Sequence, residues 1–180
     1  MNNVLTSAYG IDVAIKGVQE NIYSQLDSQW KGDIEGYGRI YKNQKVGDKF
    51  YPEYYKGGGQ YKEVYYDNKL GANFFFIVGD EDSTDDELVF VSKVKCVFMV
   101  NLGIIYPNDT ERSDVKAQRY AIQLLRDNTF LGYEVTGLSK TVKGIFSGFA
   151  TEKIASADIH PAHCFSINID LSYYLTDKCE

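Results

Sequence analysis

Phe165-Ser166-Ile167-Asn168-Ile169-Asp170-Leu171-Ser172-Tyr173-Tyr174-Leu175 alternates without a break. Phe165, Ile167, Ile169, Leu171, Tyr173 and Leu175 fall on one side, and Ser166, Asn168, Asp170, Ser172 and Tyr174 on the other. Period two over eleven residues predicts a strand with one dry face and one wetter face. So regular a strand is a scaffold element, expected to complete a sheet.

Upstream, Ile11, Ile15, Val18, Ile22 and Leu26 recur in steps of four and three, which is one stripe on a helix. Asp12 is its candidate N-cap. A second helix is expected over 113–127, with Val115, Ala121, Ile122, Leu124 and Leu125 as its apolar stripe. Asp109, Thr110 and Ser113 compete to cap it. Phe74-Phe75-Phe76-Ile77-Val78 reads as a buried strand. A long strand from Leu88 to about Ile105 follows, its dry face carrying Val94, Cys96, Phe98, Val100 and Leu102, with Lys93 and Lys95 opposite. These two strands form a hairpin with an acidic tip. Residues 132–138 and 142–149 are read as further strands.

Residues 28–72 read as an extended insertion or arm on a single domain spanning 1–180. Eight of the fifteen tyrosines lie between 37 and 66, with Gly57-Gly58-Gly59 as a flexible tip. Six basic residues there face three acidic ones, a net of +3. Extended pieces are expected at 39–41, 50–55 and 63–66. The order of elements separates helices from strands, so the expected fold is α+β. Two helices pack on a mostly antiparallel sheet, with a tyrosine-rich arm or hairpin.

Composition bounds the function. The chain has 180 residues, 44% hydrophobic and 24% charged, enough for one domain with a real core. A net charge of -6 does not favour adhesion to nucleic acid. No apolar run is long enough to cross a membrane, and MNNVLTSAYG does not read as a signal peptide. Cys96, Cys164 and Cys179 form no CxxC pair and read as reduced thiols.

His160 and His163, beside Cys164, have the look of a partial metal site. Zinc needs a fourth ligand, and Asp158 is the nearby carboxylate. The plainer reading is a Pro161 turn leading into the last strand. Asp80, Glu81, Asp82, Asp85, Asp86 and Glu87 concentrate acid in the hairpin tip. An EF-hand would need Gly where Asp85 stands and Glu where Val91 stands. A solvated tip and a deliberate negative patch both remain. Gly57-Gly58-Gly59 lacks the Lys-Ser/Thr of a P-loop, and no nucleophile, base and orienter assemble. The chain is expected to be neither an enzyme nor a cofactor binder. The basic, tyrosine-rich window fits protein contact or plain edge strands better than nucleic acid.

In its element order the chain resembles the tail terminator and neck proteins of tailed bacteriophages. The resemblance rests on residues 11–26, Gly38-Arg39-Ile40-Tyr41, 89–102, 115–125 and 165–175. It is one of architecture and covers most of the chain. Residues 42–72 are longer and richer in tyrosine than a compact terminator needs. The resemblance implies a virion protein, assembled in the host cytoplasm, that forms a homo-oligomeric ring around passing DNA. Its neighbours would be other neck, portal or tail proteins, with no membrane involved. Asp80, Glu81, Asp82, Asp85, Asp86 and Glu87 would line the channel. Tyr41, Tyr51, Tyr54, Tyr55, Tyr61, Tyr65 and Tyr66 would supply a subunit interface, since ring contacts are heterologous. The alternative is a monomeric β-rich module binding carbohydrate or peptide.

Overall fold

The closing strand sits inside the sheet. In the computed structural model, which describes residues 1–43, 45–85 and 88–175, it runs over Ala162–Tyr174 with a neighbour on each side. In chain order the elements are β1 (Asn2–Asn3), α1 (Ile11–Gln29), β2 (Ile34–Tyr41), β3 (Lys45–Val46), β4 (Lys49–Phe50), β5 (Glu53–Gly57) and β6 (Gln60–Glu63). Then come β7 (Ala72–Thr84), β8 (Val89–Asn101), α2 (Leu102–Ile105), α3 (Asp114–Arg126), β9 (Tyr133–Ser139), α4 (Val142–Ile145) and β10 (Ala162–Tyr174). Eight strands form one sheet in the order β6-β5-β2-β7-β8-β10-β9, with β1 beside β2. Pairings β1–β2 and β2–β7 are parallel and the rest antiparallel, so the fold is α+β with a mostly antiparallel mixed sheet.

Alternation along the strands builds two layers. Phe74, Phe98 and Phe165 stand in register on one face, followed by Phe76, Cys96 and Ile167, then Val78, Val94 and Ile169. Ile11, Ile15, Val18, Ile22 and Leu26 of α1 bury against them, as the helical spacing predicts. From α3 come Ala117, Ala121, Leu124 and Leu125. The second face has a smaller core of Phe75, Val97, Met99 and Cys164, covered by Ile145, Phe146, Ile154 and Ala157.

Several expectations shift. Residues 28–72 hold β2, an inner strand, and the β5–β6 hairpin that extends the sheet, so this window is woven into the domain. Gly57, Gly58 and Gly59 all have positive φ and make that hairpin's turn, a backbone path side chains resist. Among the described residues the α-helices number four rather than two, because α2 and α4 each add one turn. At α2, the Asn101 side chain accepts from the Gly103 N–H and ends the long strand at Asn101. At α4, Thr141 does the same for Gly144, so residues 142–149 are a turn-rich cover. Asp12 lies inside the first turn of α1, whose N-cap is Gly10. Val115 is 66% exposed, since the buried stripe of α3 runs through Ala117, Gln118, Ala121 and Leu125 instead. Ser113 precedes α3, yet its hydroxyl donates to Asp109 (2.5 Å) and caps no helix N–H.

Candidate functional site

The hairpin pairs β7 and β8 antiparallel out to Thr84 and Phe90, so Asp80, Glu81 and Asp82 stand within β7 and not in the tip as expected. Asp80, Glu81, Asp82 and Asp85 are all exposed, while Asp86 and Glu87 lie outside the described residues. A bulge between Val78 and Asp82 puts two extra residues into β7, after which the ladder resumes at Asp82 and Ser92. Asp82 is pinned: the Tyr173 hydroxyl of β10 donates to its Oδ2 at 2.7 Å. Burial, then that carboxylate, pushes the Tyr173 phenol up to about 12.

Of the tyrosines proposed for an interface, Tyr54 is buried and Tyr65 and Tyr66 pack partly against the second core. Tyr54 is 4% exposed and packs at 4.5 Å on Tyr37. Tyr41, Tyr51, Tyr55, Tyr65 and Tyr66 are half-buried, and Tyr61 is 39% exposed. Tyr41 and Tyr55 contact Tyr61 at 6.2 and 5.1 Å, so three rings form one outer cluster. Lys153 sits 4.1 Å over the Tyr51 ring and donates to Glu63 (2.8 Å) and Tyr65 (3.0 Å), tying the hairpin to the segment after α4.

His163 and Cys164 are successive strand residues and point to opposite faces. Cys164 enters the second core. The His163 ring stacks on Phe165, and its Nε2 takes the Gln118 amide at 2.8 Å. With that nitrogen accepting, Nδ1 carries the proton toward Asp158 at 3.3 Å. His160 is exposed, and among the described residues no group of three His, Cys, Asp or Glu could hold a metal. The plain reading of this turn therefore gains a purpose, since it locks α3 to β10. Burial pushes the Cys96 and Cys164 thiols up, away from reactivity. Cys179 lies outside the described residues.

The sequence gives little sign of a cavity on the second face. On the second face, beyond Phe75 and Val97, the sheet turns polar: Ile77, Lys95 and Asn168 share one row, and Lys93 and Asp170 the next. The end of β2 and the turn carrying Ser147 and Phe149 wall this floor into a cleft of about 670 Å³. It crosses five neighbouring strands, about 19 Å at the usual strand spacing. Four cations border it, Arg39, Lys42, Lys93 and Lys95, against Asp80 and Asp170. Among the described residues, no carboxylate forms an ion pair with any of the four. Lys95 donates to the carbonyls of Gly144 (2.8 Å) and Ile145 (3.1 Å), and burial lowers its pKa. Lys42 lies 5.7 Å over the Phe149 ring and Arg39 5.0 Å over Tyr41. The one signal in the sequence was Lys93 and Lys95 opposite the dry stripe. Nothing local announces the strands that complete the cleft.

Comparison with known protein families, curated proteins and solved structures finds no match to this chain. No helix among the described residues is long and apolar enough to cross a membrane.

Proposed function

We propose that the chain is a structural virion protein of a tailed bacteriophage, one subunit of a homo-oligomeric neck ring around the DNA channel. The observation that carries the proposal is the pair of unlike sheet ends. Among the described residues, β6 pairs only with β5 and carries exposed Tyr61 and Lys62, and β9 pairs only with β10 and carries exposed Glu134 and Thr136. A closed ring needs two different surfaces on each subunit, and unlike edges fit that need. Tyr61, backed by Tyr41 and Tyr55, would sit at one such contact.

The exposed acids Asp80, Glu81, Asp82 and Asp85 suit a channel lining, where negative charge keeps phosphate from adhering. Head-to-tail assembly is tested by negative-stain electron microscopy at micromolar protein. Rings with a central hole of about 20 Å or more, wide enough for a duplex, support the proposal. Uniform small particles, both alone and with a portal present as template, count against it. The Tyr41, Tyr55 and Tyr61 cluster also favours a second reading, a monomeric module stacking sugar rings on tyrosine. Protection of that hairpin from protease in the isolated subunit supports the second reading over the first.

A further inference from the structure

We propose that the cleft on the second face is a binding site for a small organic phosphate. The anionic group is held by Lys42 and Lys93, and the apolar body rests on Phe149 and Ile77. This inference needs only one subunit and stands apart from the ring.

The chain is acidic overall, at -6, yet this cleft gathers Lys42, Lys93 and Lys95 on the second face against Asp80 and Asp170. Like charges gathered on one concave wall repel, and proteins ordinarily relieve that with interleaved acids. Here Asp80 and Asp170 line the same cleft but leave the cations in excess. Asp170 faces Lys93 across the ladder, but the two form no ion pair among the described residues. Lys95 is committed to the carbonyls of Gly144 and Ile145, so it ties the turn above to the sheet and adds its charge from below. Among the described residues, that leaves the Lys42 and Lys93 ammonium groups with no hydrogen bond to a protein acceptor. Ammonium groups on flexible stems suit a tetrahedral phosphate. The volume, about 670 Å³, lies within the usual range for small-molecule sites. An apolar wall with few convergent polar groups is likewise usual for such sites.

The probes are phenyl phosphate and inorganic phosphate, titrated into the full chain by calorimetry and by amide chemical shifts. Phenyl phosphate is expected to bind about tenfold more tightly than inorganic phosphate, with shifts at Lys93, Lys95, Ser147 and Phe149. The double variant Lys42→Gln, Lys93→Gln replaces exposed side chains and is expected to fold. Its affinity for both probes falls about tenfold or more. In Phe149→Ala, phenyl phosphate loses most of its advantage while inorganic phosphate binds as before. No binding of phenyl phosphate at about 10 mM overturns the site. So does unchanged affinity in the double lysine variant. Equal binding of the two probes by the native chain overturns the organic part of the assignment. None of these outcomes depends on ring formation, so the two proposals fail separately.

Discussion

On the first face of the sheet, Phe74, Phe98 and Phe165 stack across three strands beneath α1 and α3. On the second face the same strands carry Phe75, Val97 and Ser166, and then, two residues along, Ile77, Lys95 and Asn168. One face is dry from end to end of the helical cover, whereas the other changes from core to charged cleft within one strand. The difference shows how alternation separates two tasks. Every second residue holds the layers together, and the residues between are left to the surface chemistry.

The largest effect expected from breaking this contrast is on the first face. Phe98 lies 6.1 Å from Phe74 and 5.1 Å from Phe165, nearly parallel to both, and is 1% exposed. Phe98→Ala should cost about 3–5 kcal/mol in a urea unfolding experiment. A cost below about 1.5 kcal/mol would mean that the layer collapses around the gap and is not the rigid member of the pair.

Ile154 is equally buried at 1% but belongs to the turn-rich cover of the second face. With no ladder to hold its backbone, the cover can settle, so Ile154→Ala should cost about 2 kcal/mol, the low end for such a truncation. Combined with Phe98→Ala, the losses should add within about 0.5 kcal/mol, because the sheet lies between the two sites. Strong coupling would join the two faces into one cooperative core.

Gln118 sharpens the comparison at the seam. It is 5% exposed and supplies the partner for His163 Nε2. Gln118→Ala leaves that nitrogen buried and unpaired, at about 1–3 kcal/mol by the same urea measurement. If the variant is as stable as the native chain, the link from α3 to β10 is ornamental.

The first face was legible because its signals are local. Ile11 to Leu26 declares a helical stripe, and Phe165 to Tyr173 a strand, each within its own segment. Errors arose where a side chain competes with the ladder. Asn101 and Thr141 look unremarkable in sequence but nucleate the one-turn helices that end β8 and cover the second core. β1 escaped notice because two residues carry no period. Its parallel pairing with β2 is braced by Gln19, whose amide donates to Asn2 Oδ1 at 2.7 Å and the Asn3 carbonyl at 3.0 Å. The acidic stretch was visible as composition. The cleft was not, since Arg39, Lys93 and Asp170 meet only through strand order.

Asp12 gives the smallest effect and probes the corner where β2 leaves the helix-covered face. Burial raises its pKa above the ordinary 3.8, while Arg39 and a 3.2 Å hydrogen bond from the Tyr41 hydroxyl offset part of the rise. Its Oδ1 is buried without a partner. A raised carboxyl pKa means that the folded state holds the proton more tightly than the unfolded chain. The stabilising contribution is therefore complete below pH 3.8 and is lost as pH rises through the folded value. At neutral pH the ionised group is a burden on the folded state, reduced by solvent screening. Asp12→Asn should thus be slightly more stable than the native chain at pH 7 and indistinguishable from it at acid pH, by urea midpoints at both. The opposite result at pH 7 would show that Arg39 and the positive end of α1 outweigh burial, with Asp12 acting as an anchor for Arg39 at the mouth of the cleft.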